Sequence, residues 1–217
     1  VNKMAGRFLM LGELVMAMAE RPAFLDVGAA VFGCEHVRVI ACGAGDAHEV
    51  SPLHQGLPQI QWHCDGIPGA KQLAIRTAID RHDETRGPLR VLPGSHHRDR
   101  DEVAMELQQL ELATGTHDDE PTKCFAHHPG EVQVILDPRW TLLWSPSCWH
   151  ATGPNRSGAP RRAFGWNYGP AGSHCRDVAT SRRSSMFTPT NGNHGPSRGS
   201  GYGVCWIDSR HVATRAK

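Results

Sequence analysis

Residues 61–66 read QWHCDG, which sets His63 and Asp65 two positions apart with Cys64 between them. At a strand end, positions i and i+2 share a face and the residue between them points the other way. An imidazole and a carboxylate therefore converge there without strain. A metal ion needs a third ligand, and the best candidate is His150, in SPSCWHATGPN just after the apolar run TLLWS. Two histidines and one carboxylate on one side of an ion leave its other positions open, the arrangement expected of a non-haem Fe(II) oxygenase. Eleven residues further on, Arg161 opens a new strand. Its rigid fork suits a carboxylate, and a dicarboxylic co-substrate that chelates iron at one end needs such a clamp at the other. This points to 2-oxoglutarate, with Thr152 and Asn155 placed to add hydrogen bonds.

Each of these residues also has a plainer reading. His63 and Asp65 can be a hydrogen-bonded turn pair, and His150 a core histidine satisfied by a backbone carbonyl. Arg161 is followed by Arg162, and alternation turns only one of them inward. His96, His97, His127 and His128 lie in loop-like segments that read as solvated, with His96 orienting the hairpin it closes.

These side chains need a frame. Phe8, Leu11, Val15 and Met18 recur at helical spacing and predict a helix that ends before Pro22, with a second helix over about 23–32 ahead of Gly33. Short β-type segments follow at 36–42, 59–63, 71–79, 88–92, 131–136, 141–145 and 162–168. Gly, Pro and Asp punctuate them, with no helix between each pair, so the pattern predicts an antiparallel sandwich or barrel rather than a parallel α/β sheet. One excursion, 99–115, is helical, with Val103, Leu107 and Leu110 on one side, and offers material for a lid. From about 172 the chain is rich in Gly, Ser, Arg and Asn, so the reading is one domain over 1–171 and a poorly ordered tail over 172–217.

Three motifs in order, QWHCDG, RGPLRVLPGSHH (86–97) and WHATGPNRSGAPRRAF (149–164), resemble the phytanoyl-CoA dioxygenase family of Fe(II)/2-oxoglutarate oxygenases. The similarity extends over roughly 25–168. It implies a double-stranded β-helix (jelly roll) with flanking N-terminal helices, mainly β overall. It implies iron held by His63, Asp65 and His150, 2-oxoglutarate clamped by Arg161, and hydroxylation of a small-molecule substrate by O2 with release of succinate and CO2. Related halogenases have a small residue where this chain has Asp65, so hydroxylation is favoured over chlorination. The chain departs from the family pattern at Cys64, often Gln, and at Arg76, often aromatic. It begins with Val, and the expectation is a fragment or processed form that lacks strands usual before the first helix.

Composition narrows the alternatives. Lys and Arg (23) nearly balance Asp and Glu (22), and no basic stripe alternates with aromatics, so a nucleic-acid partner is not expected. Seven cysteines, odd in number and without a C-x-x-C pair, argue against a disulfide framework and fit a reducing, cytoplasmic setting. The apolar run 8–19 is too short to span a bilayer. The rival expectations are a non-catalytic jelly-roll binding module that retains a metal site, and a cupin-type metalloenzyme, for which Arg161 would have no purpose.

Overall fold

The computed structural model describes residues 2–5, 13–47, 60–66, 70–114, 124–138, 140–173, 203–208 and 211–212. The chain opens with strand β1 (Asn2–Ala5), then α1 (Glu13–Ala19) and α2 (Pro22–Phe32). Pro22 starts α2, where a missing N–H costs nothing. Gly33 ends it in the left-handed region at φ 66°, its N–H returning to Ala29 O at 2.9 Å. Val15 and Met18 of the predicted first helix pack on the core, whereas Phe8 and Leu11 lie outside the described residues.

Among the described residues the strands form two sheets. The larger has the order β1-β2-β9-β4-β7-β10-β11, with β2 (Val37–Ala47), β4 (Leu73–Ala78), β7 (Trp140–Trp144) and β9 (Arg161–Pro170) at its centre. The smaller has the order β3-β8-β5-β6: Ile60–His63, His150–Thr152, Leu89–Val91 and Val132–Val134. Neighbours run antiparallel except β10 (Gly203–Asp208), which lies parallel to β7 and carries β11 (His211–Val212) at its edge. Thus the stretch after 172 contributes two strands to the larger sheet, while 174–202 fall outside the described residues. The two facing, mainly antiparallel sheets with N-terminal helices are the jelly roll that the sequence predicts.

Alternation sorts the cores. Leu73, Ile75, Trp166 and Tyr168 project from the larger sheet onto α1 and α2, and the Tyr168 hydroxyl donates to Ala19 O at 2.6 Å. The opposite face, with Ala78 and Leu142, meets Leu89, Val91 and Val134 of the smaller sheet. The sequence offered the helix α3 (Arg100–Thr114) as a lid; instead Val103 and Leu107 pack on Trp62, Leu92 and Ala151, the back of the smaller sheet. The third buried position on α3 is Glu111 rather than Leu110. Its carboxylate accepts the backbone N–H groups of Phe125 (2.8 Å) and Ala126 (2.6 Å), a demand that apolar periodicity does not reveal.

On that same back face Arg90 is 2 % exposed and pairs with Glu131 at 2.6 Å, while also donating to the carbonyls of Phe125 and Ala126. Burial pushes the Glu131 carboxyl up, but the hydrogen bonds from Arg90 and His127, with the charge of Arg90, outweigh it, so the net shift is downward. A depressed carboxyl stabilises the fold above the ordinary glutamate range and loses that contribution as pH falls through its folded value. Glu131→Gln is expected to cost about 3 kcal/mol at neutral pH by stranding a buried guanidinium. Urea melts across acidic pH should show a shallower pH dependence in the variant than in the wild type.

Candidate metal centre

The antiparallel pairing of β3 with β8 places His63 directly opposite His150, with ring centroids 4.2 Å apart. Asp65 lies just past the end of β3. Its place is set by backbone bonds: the N–H groups of Asp65 and Gly66 both donate to Pro146 O, at 3.0 and 2.9 Å. Gly66 permits this approach, since a Cβ there would come within 2.8 Å of Ser147 Cα. As a result Asp65 Oδ2 stands 3.7 Å from His63 Nε2 and 3.8 Å from His150 Nε2. The three donor atoms lie within 4.8 Å of one another.

The tautomers are set by the backbone. His63 Nδ1 lies 2.8 Å from Gln61 O, and His150 Nδ1 lies 2.8 Å from Cys148 O. A carbonyl oxygen only accepts, so each Nδ1 carries a proton, and Nε2 is the ring nitrogen turned toward Asp65 and available to a metal ion. Burial pushes the His150 imidazole below its ordinary pKa. The imidazoles of His150 and His63 hold the Asp65 carboxyl far below the usual carboxylate range. A divalent cation binds an ionised carboxylate and unprotonated Nε2 atoms, so its binding releases any proton those nitrogens carry. Two atoms bound to one ion at about 2.1 Å cannot stand more than about 4.2 Å apart, and both pairs to Asp65 satisfy this limit. The cluster fits a metal, and its donor set is that of a two-histidine, one-carboxylate iron site.

Arg161 is 5 % exposed at the start of β9, on the face turned toward the smaller sheet, and one Nη donates to Gly87 O. Its Nε is buried with no hydrogen-bond partner among the described residues. A buried orphan donor costs about 1–3 kcal/mol unless a ligand accepts from it, so the site fits an anionic co-substrate. Arg162 faces outward instead and holds Asp80 in a two-pronged pair, with contacts of 2.9 Å from both Nε and Nη2.

Thr152 is buried on β8 and shares the face of His150 by alternation. Asn155 is fully buried, and its amide works within its own turn: Nδ2 donates to Ala159 O at 2.8 Å and Oδ1 accepts from the Ser157 N–H and hydroxyl. It shapes the loop between His150 and Arg161. That loop is laced to the hairpin entering β5, through Gly153 N–H to Pro88 O at 2.9 Å and Arg156 N–H to Thr85 O at 2.6 Å. Gly87, at φ 68°, permits the close pass, because a Cβ there would collide with Gly153 O. The carbonyls of Gln61, Cys148, Gly87 and Pro146 thus set the site, and no side-chain pattern announces a carbonyl.

His96 Nδ1 lies 2.9 Å from the buried Cys148 Sγ, tying the hairpin 86–97 to the residue two before His150. His128 is not solvated but pairs with Glu106 at 2.7 Å; His127 is exposed. Cys34, Cys64, Cys124 and Cys148 are free thiols among the described residues, and burial pushes Cys124 up to about 11. Cys64 points away from the ligands, its thiol 3.3 Å from Ser147 O. No described helix is long and apolar enough to cross a membrane.

Comparison with known proteins gives a consistent picture. A sequence model of the family described as phytanoyl-CoA dioxygenase matches residues 9–163, well over half of the chain. The ectoine dioxygenase of Streptomyces avermitilis is 27 % identical over 110 residues, which cover 46 % of this chain and 36 % of that protein. The chain therefore spans about a third of the length of this curated relative. Among solved structures, the 2-oxoglutarate-dependent carbocyclase SnoK of nogalamycin biosynthesis superposes with a TM-score of 0.57 at 19 % identity, covering 89 % of this chain and 73 % of that one. EctD of S. alaskensis, solved with 2-oxoglutarate and 5-hydroxyectoine, gives 0.56 at 19 % identity, covering 78 % and 56 %. At these identities the likeness is one of fold.

Proposed function

Because the chain belongs to the phytanoyl-CoA dioxygenase family, we propose that it is a non-haem Fe(II)/2-oxoglutarate-dependent dioxygenase that hydroxylates a small-molecule substrate and releases succinate and CO2. The observation that carries this reading is the convergence of His63, Asp65 and His150, with both Nδ1 atoms engaged by carbonyls. Fe(II) and 2-oxoglutarate are the cofactor and co-substrate of this family. In the proposed site, His63, Asp65 and His150 hold the iron. The iron, when bound, supplies the activation of O2 that no side chain can provide. Arg161 receives the distal carboxylate of 2-oxoglutarate on its free Nε and remaining Nη, and Thr152 offers a hydroxyl from the same pocket wall. Asn155 acts one step back by shaping the loop that sets Arg161 at its distance from His150.

Trp144 stands at the edge of the His150 ring, centroids 6.0 Å apart. The odd count of seven cysteines without a C-x-x-C pair is what favours a reducing, cytoplasmic setting.

The test is an anaerobic titration of the metal-free chain with Fe(II) and 2-oxoglutarate, followed by succinate assay on admission of O2. A weak visible charge-transfer band, and chelator-sensitive succinate release even without added substrate, are the expected results. Iron uptake with neither band nor succinate would favour a binding module that merely keeps the metal.

A further inference from the structure

The inner floor of the larger sheet carries a second arginine that the reading above leaves unused. On β4, Leu73 and Ile75 pack beneath the helices, so Ala74, Arg76 and Ala78 face the smaller sheet. On β9, Phe164 and Trp166 take the helix side, which turns Arg161, Ala163 and Gly165 inward. The strand register then lays out a diagonal. Trp144, in edge contact with His150, stands opposite Ala74. Arg76 is the next inward residue, opposite Leu142 on one side and Gly165 on the other. Arg161 lies beyond Ala163, which stands opposite Ala78. Arg76 thus projects from the floor between the metal-ligand cluster and Arg161, beside a position, Gly165, that contributes no side chain to the volume.

Neither arginine has an acidic partner among the described residues. The described carboxylates near arginines are taken by Arg81, Arg90, Arg98 and Arg162. A guanidinium keeps its proton in proteins, so both are cationic; burial pushes each of them downward, and the charge of Arg76 lowers Arg161 further, to about 9. The neighbouring His82 gives no relief: it is buried, and burial with the charges of Arg161 and Arg76 pushes its imidazole down to about 3, leaving it neutral. Asp80, whose charge acts on His82 in the opposite direction, is engaged by Arg162.

Charge matching shows that Arg76 is surplus to the co-substrate. A divalent ion with Asp65 leaves one net positive charge, and Arg161 supplies another. Those two match the two carboxylates of 2-oxoglutarate. A further cation on the same enclosed face calls for a further anion, since a buried charge is tolerated only when paired. Arg76 is half-buried rather than sealed, which leaves it open to a ligand.

We propose that Arg76 is a specificity residue for the molecule to be oxidised, receiving an oxyanion, either a carboxylate or a phosphate monoester, that this molecule carries. The inference rests on the proposed iron and 2-oxoglutarate site and names the substrate class of that site as anionic.

The experiment loads the full chain anaerobically with Fe(II) and 2-oxoglutarate and titrates it calorimetrically with three matched probes: hexanoate, hexyl phosphate and hexanamide. At least one anionic probe is expected to bind about tenfold or more tightly than the neutral amide, the margin of a charge-assisted hydrogen bond. The tighter of the two anions identifies the oxyanion. Arg76→Gln should bring that preference within about twofold, while Arg76→Lys, which keeps the charge but not the fork, should retain part of it. In both variants the affinity for 2-oxoglutarate should stay within about threefold of wild type, which also shows that they fold. Equal binding of all three probes to the wild type would overturn the proposal. So would a loss of about tenfold or more in 2-oxoglutarate affinity in Arg76→Gln, which would make Arg76 a co-substrate anchor. Failure of the wild type to take up Fe(II) and 2-oxoglutarate at all is a separate result, which would overturn the proposed function and this inference with it.

Discussion

Asp65→Ala is expected to abolish iron-dependent succinate formation and to weaken Fe(II) binding by well over 100-fold, since even residues that only orient metal ligands are worth about 10–100-fold in affinity. The loss has a readout free of catalysis. A ligand that binds only the folded state stabilises it by about 2.7 kcal/mol at one hundred times its dissociation constant. For a chain of this size that corresponds to about 5–10 °C in Tm. Wild-type protein titrated anaerobically with Fe(II) should show this rise, and Asp65→Ala should show none. The metal-free variant should still fold, because the Asp65 side chain is 45 % exposed, and its own metal-free melt is the baseline for the shift. An unchanged metal-induced shift in the variant would remove Asp65 from the ligand set. His63→Ala should behave alike; His150→Ala is a poorer probe, since His150 is 5 % exposed and its removal leaves a cavity as well.

The second large effect belongs to Arg161. Truncating one partner of a buried, hydrogen-bonded charge pair costs about 2–5 kcal/mol. Arg161→Ala is therefore expected to raise the KM for 2-oxoglutarate by about 30-fold or more, with a smaller change in kcat, because the distal carboxylate is held in ground and transition states alike. Arg161→Lys should recover only part of the loss, since an ammonium cannot present two parallel N–H groups to a carboxylate. The neighbouring arginine is the control. Arg162→Ala breaks an exposed pair with Asp80, so it should cost at most about 1 kcal/mol of stability and leave the co-substrate KM unchanged. The reverse pattern would assign the clamp to Arg162.

Several features of this site are local enough to read from the chain. The spacing His63-x-Asp65 carries its own geometry, because the alternation of a strand end puts i and i+2 on one face. Pro22 and Gly33 bracket α2 for backbone reasons that hold in any context. Seven strands read from alternation and punctuation have counterparts in the structure, with ends shifted by a few residues, as for 71–79 against Leu73–Ala78. The sequence places His150 at the end of the strand 141–145 and shows no separate strand for it, since His150–Thr152 is three residues long and too short to show a period. Helix α3 was found, but its destination was not: an amphipathic face states that something must be covered, not what covers it.

What the sequence by itself determined is the inventory: two imidazoles, one carboxylate and an arginine at workable intervals, on elements whose period implies two antiparallel sheets. What only the tertiary structure decided is convergence and orientation. The His63–His150 pairing spans strands far apart in the chain, and the turn of each ring is set by the carbonyls of Gln61 and Cys148. The choice of Arg161 over Arg162 depends on which side of β9 faces the smaller sheet, and the position of Arg76 between Arg161 and the ligand cluster depends on the register of β4 against β7 and β9. The reason is physical: side-chain types are encoded residue by residue, but register and backbone donors are properties of pairs of strands, fixed only when both cores close at once.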